Sequence, residues 1–272
     1  MRYGLNVCTL GDYANPGLVV DLAGAAEEAG WESLFVWDHL GFAWGVPSGD
    51  PWVTLAAVAQ ATSQLRIGTA VTPLARRRPQ VVANTVACLD RLSGGRVVLG
   101  AGLGGVPVEF AAFGEPDNPR LRAERLDEAL DLLAALWSGE RVDHRGRHYT
   151  VAGVTLAPLP VQRPRVPIWI GGDSAPAKRR AVRWDGWIVG GEGPDASTMI
   201  SPDQIAAAID GLGPRSNHFE IALSGVSASD DQALMQRYAE AGVTWWLESI
   251  HSQRGSTREM LDRTRAGPPV LR

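Results

Sequence analysis

Short runs of β-branched and apolar residues alternate with amphipathic helical stretches along the whole chain. That alternation predicts parallel strands joined by right-handed helical crossovers, an α/β architecture. Eight strands are expected, at 3–7, 33–37, 66–70, 96–100, 167–170, 186–189, 219–223 and 244–248. The helical segments carry their own punctuation: 17–29 stops at Gly30, 51–61 starts on Pro51 after Asp50, and 122–137 ends at Ser138 and Gly139. The longest interruption, 139–167, predicts a hairpin over 141–149 turning at Gly146, then a proline-rich connector. An open doubly wound sheet alternates in the same way. Eight strands in 272 residues, with no sign of a second domain, favour closure into one (β/α)8 TIM barrel domain over 1–272, an architecture that usually takes about 250 residues.

Composition removes several function classes. A net charge of -4 gives no reason to expect nucleic acid as a partner, and no apolar run approaches the ~18 residues of a membrane span. A cytoplasmic protein acting on a small molecule is expected. The two cysteines, Cys8 and Cys88, make neither a disulfide framework nor a metal cluster and are expected as packed thiols. His144 and His148 are four apart, but on a hairpin that spacing does not gather ligands as it does on a helix, so no metal is expected.

In a closed barrel the loops that follow the strands meet on one face, where the chemistry sits. Asp38 and His39 follow the second strand and put an acid and an imidazole at that mouth, although sequence neighbours point in different directions. After the third strand, Thr69, Ala70 and Val71 let a flat ring approach the backbone. Arg76, Arg77 and Arg78 come next and suit either solvent or an acidic group. Gly100, Gly102 and Gly105 match the dinucleotide fingerprint in spacing, but that motif belongs to an opening βαβ unit and here it follows the fourth strand. These glycines either turn the chain tightly or offer N–H groups to a ligand. Gly171 and Gly172 precede a serine and a helix start, an arrangement suited to an anion, and Gly190 and Gly191 repeat the pattern after the sixth strand. Trp44 and Trp52, in the long segment after His39, are candidate walls of an aromatic substrate pocket.

Four stretches together resemble the luciferase-like monooxygenase family: Trp37-Asp38-His39-Leu40, 92–100, 109–114 and 160–172. The resemblance implies a barrel that binds FMN or the deazaflavin coenzyme F420. It implies that Thr69, Ala70 and Val71 pass behind the ring, with the Ala70–Val71 bond a candidate non-proline cis peptide. Gly102, Leu103, Gly104, Gly171 and Gly172 match positions near the ring and its phosphate-bearing chain. Asp38 and His39 match the acid–imidazole pair of deazaflavin-using relatives, which favours F420. The segment Gly190-Gly191-Glu192-Gly193 lacks the hydroxyl and lysine groups that some of those relatives carry, which keeps FMN open. The implied function is hydride transfer to or from a small organic substrate, with Asp38 orienting ring or substrate and His39 as general acid or base. FMN-dependent oxygenation and a non-catalytic flavin-binding protein are the alternatives. A homodimer, with a separate flavin or F420 reductase as electron source, completes what the resemblance implies.

Overall fold

The computed structural model describes residues 1–190 and 199–270. Five strands come first: β1 (Arg2–Val7), β2 (Ser33–Val36), β3 (Arg66–Thr69), β4 (Thr72–Pro73) and β5 (Val97–Gly102). A hairpin of β6 (Val142–Arg145) and β7 (Thr150–Val154) separates them from β8 (Ile168–Gly171), β9 (Gly186–Gly190), β10 (Glu220–Gly225) and β11 (Trp245–Ile250). All except the hairpin form one parallel sheet, in which β1 pairs with β2 and β11 while the pairing of β3 with β5 closes the ring. Because β4 resumes the line of β3 after a break at Ala70 and Val71, the ring is an eight-stranded barrel. No helix among the described residues is long and apolar enough to cross a membrane.

The crossover helices begin where the sequence chemistry requires. Asn15, Asp50 and Asn118 stand directly before Pro16, Pro51 and Pro119, and each side-chain oxygen accepts a first-turn backbone N–H of α1 (Pro16–Glu28), α2 (Pro51–Ala61) or the long helix Pro119–Trp137. Proline fits there because its missing N–H has no partner in the first turn. Between α2 and that long helix lie α3 (Pro79–Ser93) and the short α4 (Val108–Ala111), which makes Pro119–Trp137 α5. Neighbouring helices pack side by side, α1 on α2, α2 on α3 and α3 on α5.

Inside the ring, Phe35, Val98, Trp169, Ile188, Ala222, Trp245 and Leu247 form a closed apolar plug. Its aromatic members pack together, Phe35 stacked on Trp169 at 5.3 Å and Trp169 tilted against Trp245 at 5.9 Å between ring centroids. Small residues make room for it: a Cβ on Gly68 would lie 2.8 Å from the Phe35 ring and 2.3 Å from the Val98 carbonyl. Ala70 and Val71 pack on the plug, so the floor of the barrel mouth is a rigid apolar surface.

Three strands run further toward the mouth than their composition suggests. β5 extends to Gly102, β10 to Gly225 and β11 to Ile250, because each has a paired neighbour there: Gly102 opposite Pro73, Gly225 opposite Glu248, and Ile250 opposite Val7. Glycine reads as loop in isolation, but a parallel neighbour holds it in the ladder. The two thiols also divide: Cys8 is packed, as expected, whereas Cys88 is exposed on the outer face of α3, beside Asn84 one turn earlier.

Asp90 shows how the proline-rich connector is held. Fully buried on α3, its carboxylate accepts the backbone N–H of Val161 and Gln162 and the Gln162 side-chain amide, at 2.8, 3.0 and 2.7 Å. Asp90→Ala strands those donors at an apolar interface, so urea denaturation should show a loss of about 2 kcal/mol or more, set by the ~1–3 kcal/mol of an orphaned buried group.

Candidate active site

A cavity of about 720 Å³ opens at the carboxyl ends of the barrel strands. Nearly every strand contributes residues at or just past its end: Asn6 of β1 and Cys8 beyond it, Trp37 beyond β2, Ala70 and Val71 beyond β3, and Gly171 from β8. Ile188 and Gly190 of β9, Ser224 of β10 and Ser249 of β11 complete the circle. Ile188 also belongs to the apolar plug, so the cavity rests directly on the barrel core. The volume falls within the ~300–1,000 Å³ usual for small-molecule and cofactor sites.

The three segments expected to meet around a ring do converge, and Val71 is the point of contact. The Ala70–Val71 peptide is cis. A Cβ on Gly102 would stand 2.5 Å from Val71 Cγ2, and one on Gly171 would stand 2.7 Å from Val71 Cγ1. The valine side chain thus lies between two glycines that must lack side chains to admit it. Ala70, Val71, Gly171, Gly172 and Gly190 line the cavity, whereas Gly102 and Gly104 lie behind Val71 and Pro73 and do not. Thr69 is buried, its hydroxyl donating to the Gly100 carbonyl at 2.8 Å, and Leu103 packs against the main core. Gly191 lies outside the described residues.

Asp38 and His39 part company, as neighbouring side chains on an extended chain do. Asp38 is 1 % exposed, and its two oxygens accept from Arg77 Nε and Nη2 at 2.8 Å each and from Arg76 Nη2 at 2.9 Å. This carboxylate is engaged by arginines and does not line the cavity, a placement different from the one beside the ring that the resemblance implies. Two of the three arginines in the run are thereby explained as counter-ions of a buried acid. His39 does not line the cavity either, but its ring stands 5.6 Å from Trp37 and 6.0 Å from Trp44, both cavity walls; the histidine that lines the cavity is His251, which the sequence pattern did not single out. Trp52, by contrast, is buried in the first turn of α2 within the main core.

Glu109 on α4 is the residue the sequence pattern did not single out for a role. Entirely buried, it accepts from His39 Nδ1 at 2.7 Å, from the Leu40 N–H at 2.9 Å and from Arg76. Burial pushes its pKa up, but the His39 hydrogen bond, the His39 and Arg76 charges and the Leu40 N–H together outweigh it, leaving the carboxyl below its usual range. An ionised Glu109 accepts from Nδ1–H and so fixes the neutral His39 tautomer with its lone pair on Nε2. Asn6, Ser224 and Ser249 were also missed. Asn6 carried a usable signal, as a polar residue within the apolar run 3–7 whose barrel end is the mouth. On the hairpin, His144 and His148 face α5 carboxylates, His144 Nε2 lying 3.0 Å from Glu128 and His148 Nε2 3.3 Å from Glu124.

The chain is 37% identical over 192 residues to an F420-dependent glucose-6-phosphate dehydrogenase of Microbacterium testaceum, covering 67% of this chain and 54% of that protein. It is 39% identical over 171 residues to an F420-dependent hydroxymycolic acid dehydrogenase of Mycobacterium tuberculosis, covering 61% of this chain and 47% of that protein. The chain therefore spans about half the length of these relatives. Among solved structures, an F420-dependent secondary alcohol dehydrogenase in complex with an F420–acetone adduct superposes with a TM-score of 0.77 at 19% identity, covering 100% of this chain and 99% of the other. An FMN complex of the oxygenating constituent of 3,6-diketocamphane monooxygenase from Pseudomonas putida superposes with a TM-score of 0.73 at 15% identity, covering 100% and 99%. At these identities the superpositions establish the shared fold. The family model for luciferase-like monooxygenases matches residues 6–268, and the chain belongs to that family.

Proposed function

We propose that the protein is an F420-dependent oxidoreductase that transfers a hydride between the deazaflavin and a small organic alcohol or carbonyl compound. The observation that carries this is the His39–Glu109 pair next to Trp44, in the wall of a cavity that the Ala70–Val71 segment also lines. The F420-dependent relatives at 37% and 39% identity support the same cofactor. The residues fit the group: Val71, pressed between Gly102 and Gly171, offers a side-chain-thin wall to a planar ring, and Gly172 and Gly190 leave backbone exposed at the rim for its chain. When bound, F420 supplies the two-electron hydride carrier.

The protein handles the proton. As an alcohol gives up hydride from carbon, its hydroxyl proton passes to His39 Nε2, and Glu109 stabilises the resulting imidazolium through Nδ1. Run the other way, the imidazolium returns that proton to the carbonyl oxygen. Asp38 acts through Arg76 and Arg77, holding the guanidinium that steadies Glu109. Trp44 closes the cavity beside His39 and helps keep water out. A homodimer, a cytoplasmic location and a separate reductase as electron source belong to the same proposal and draw their support from the family.

Titration of the purified protein with F420 and with FMN, followed by ring absorbance and fluorescence, tests the cofactor. F420 should bind at least about tenfold more tightly, a difference of about 1.4 kcal/mol, and should turn over anaerobically. Saturable FMN binding with oxygen consumption, and none with F420, would overturn the proposal in favour of an oxygenase.

A further inference from the structure

With the ring assigned as above to the Ala70–Val71 wall, the facing wall is left for the substrate. Around the barrel β10 stands opposite β3, and β11 opposite β5. A hydrogen-bonded chain of three side chains crosses from Trp37, beyond β2, through Asn6 of β1 to Ser224 on that wall, and Ser249, His251, Ser252 and Gln253 also line the cavity. Trp37 Nε1 donates to Asn6 Oδ1 at 3.1 Å, and Asn6 Nδ2 donates to Ser224 Oγ at 2.9 Å. An indole nitrogen only donates, so Trp37 fixes which end of the Asn6 amide is oxygen and which is nitrogen. Ser224 Oγ therefore accepts from Asn6 and keeps its own O–H to give. Among the described residues that O–H meets no acceptor, and Ser224 faces the cavity.

Elsewhere the described lining is apolar or carries polar side chains without a formal charge, apart from the imidazole of His251. None of the described lining residues is Lys, Arg, Asp or Glu, and residues 191–198 contain no Lys or Arg. Leu10, Trp44 and Val46 add apolar surface next to Trp37. A phosphate dianion entering there would lose its water with no Lys or Arg to replace it, whereas a neutral molecule loses little and gains apolar contact. We propose that the cavity selects an uncharged alcohol or ketone with an apolar body, its oxygen held by the Ser224 hydroxyl, rather than a phosphorylated sugar. Trp37 links this anchor to His39, whose ring lies 5.6 Å from it.

Cyclohexanone and glucose 6-phosphate are suitable probes, each titrated into the cofactor-free protein and read by the emission of its tryptophans, two of which line the cavity. Cyclohexanone should give a saturable change and glucose 6-phosphate none. Ser224→Ala should weaken the cyclohexanone response about tenfold, the upper range for one neutral hydrogen bond. Ser224→Cys, similar in size but a weak donor, should weaken it as well, which guards against a packing artefact. Saturable binding of glucose 6-phosphate, no response to cyclohexanone, or an undiminished response in both variants would overturn the proposal. F420 affinity, read separately by its own fluorescence, should be equal in wild type and Ser224→Ala; a parallel loss would make Ser224 a ring contact and overturn the assignment. If F420 fails to bind wild type while the cyclohexanone results hold, the cofactor proposal falls and the substrate class stands.

Discussion

His39→Ala is expected to lower kcat by about 10²–10⁴-fold, the range for losing a positioned general acid or base, while F420 affinity changes by no more than about threefold. The separation follows from geometry. His39 lies beside Trp37 and Trp44 with its imidazole held by Glu109, whereas the ring is assigned to the backbone segments Ala70–Val71, beyond the neighbouring strand β3, and Gly171–Gly172, at the end of β8. For alcohol oxidation the imidazole takes the hydroxyl proton at Nε2, which alanine cannot do. Steady-state kinetics, paired with fluorescence titration of F420, checks both quantities. Equal loss of turnover and binding would show that His39 contacts the ring, and undiminished turnover would move proton transfer to another group.

The barrel was legible in the chain because its strands are buried on both faces and therefore read as unbroken apolar runs, such as 33–36 and 97–99, set between amphipathic helices. Asp50-Pro51 announced α2 by the same local chemistry that caps it. What local pattern could not show was contact between distant segments. Glu109 meets His39 from 70 residues away and Arg76 from 33, and nothing around it marks the contact. Asp38 looked like a cavity acid because of its place at a strand end, but two guanidinium groups from a later loop claim it. Trp52 belongs to the same segment as Trp44, yet the helical turn begun at Pro51 carries it into the core. Gly102 read as loop because its strand partner, Pro73, lies beyond a break in β3 that periodicity does not reveal.

Arg76→Met should be the most destabilising single change at the site, at about 2–4 kcal/mol near pH 7. Breaking a buried ion pair from one side costs about 3–5 kcal/mol, reduced here because Asp38 keeps Arg77 and Glu109 keeps His39 and the Leu40 N–H. Methionine preserves the apolar stem, so the loss reports the charge. The pH dependence has a definite sign. Glu109 has a depressed pKa in the folded protein, so its ionised form contributes stability that is complete above the unfolded carboxylate value of about 4.3 and disappears as pH falls through the lower folded value. Without Arg76 the depression is smaller and less stability remains to be lost on acidification. The wild type should therefore lose stability more steeply than Arg76→Met below about pH 4.5, and the gap between them should narrow. Urea denaturation of both proteins across that range measures it. A gap that stays constant from neutrality into acid would mean that Arg76 stabilises the rim by packing, as its guanidinium 6.0 Å from the Phe110 ring allows, and that the charge network holding His39 in place does not depend on it.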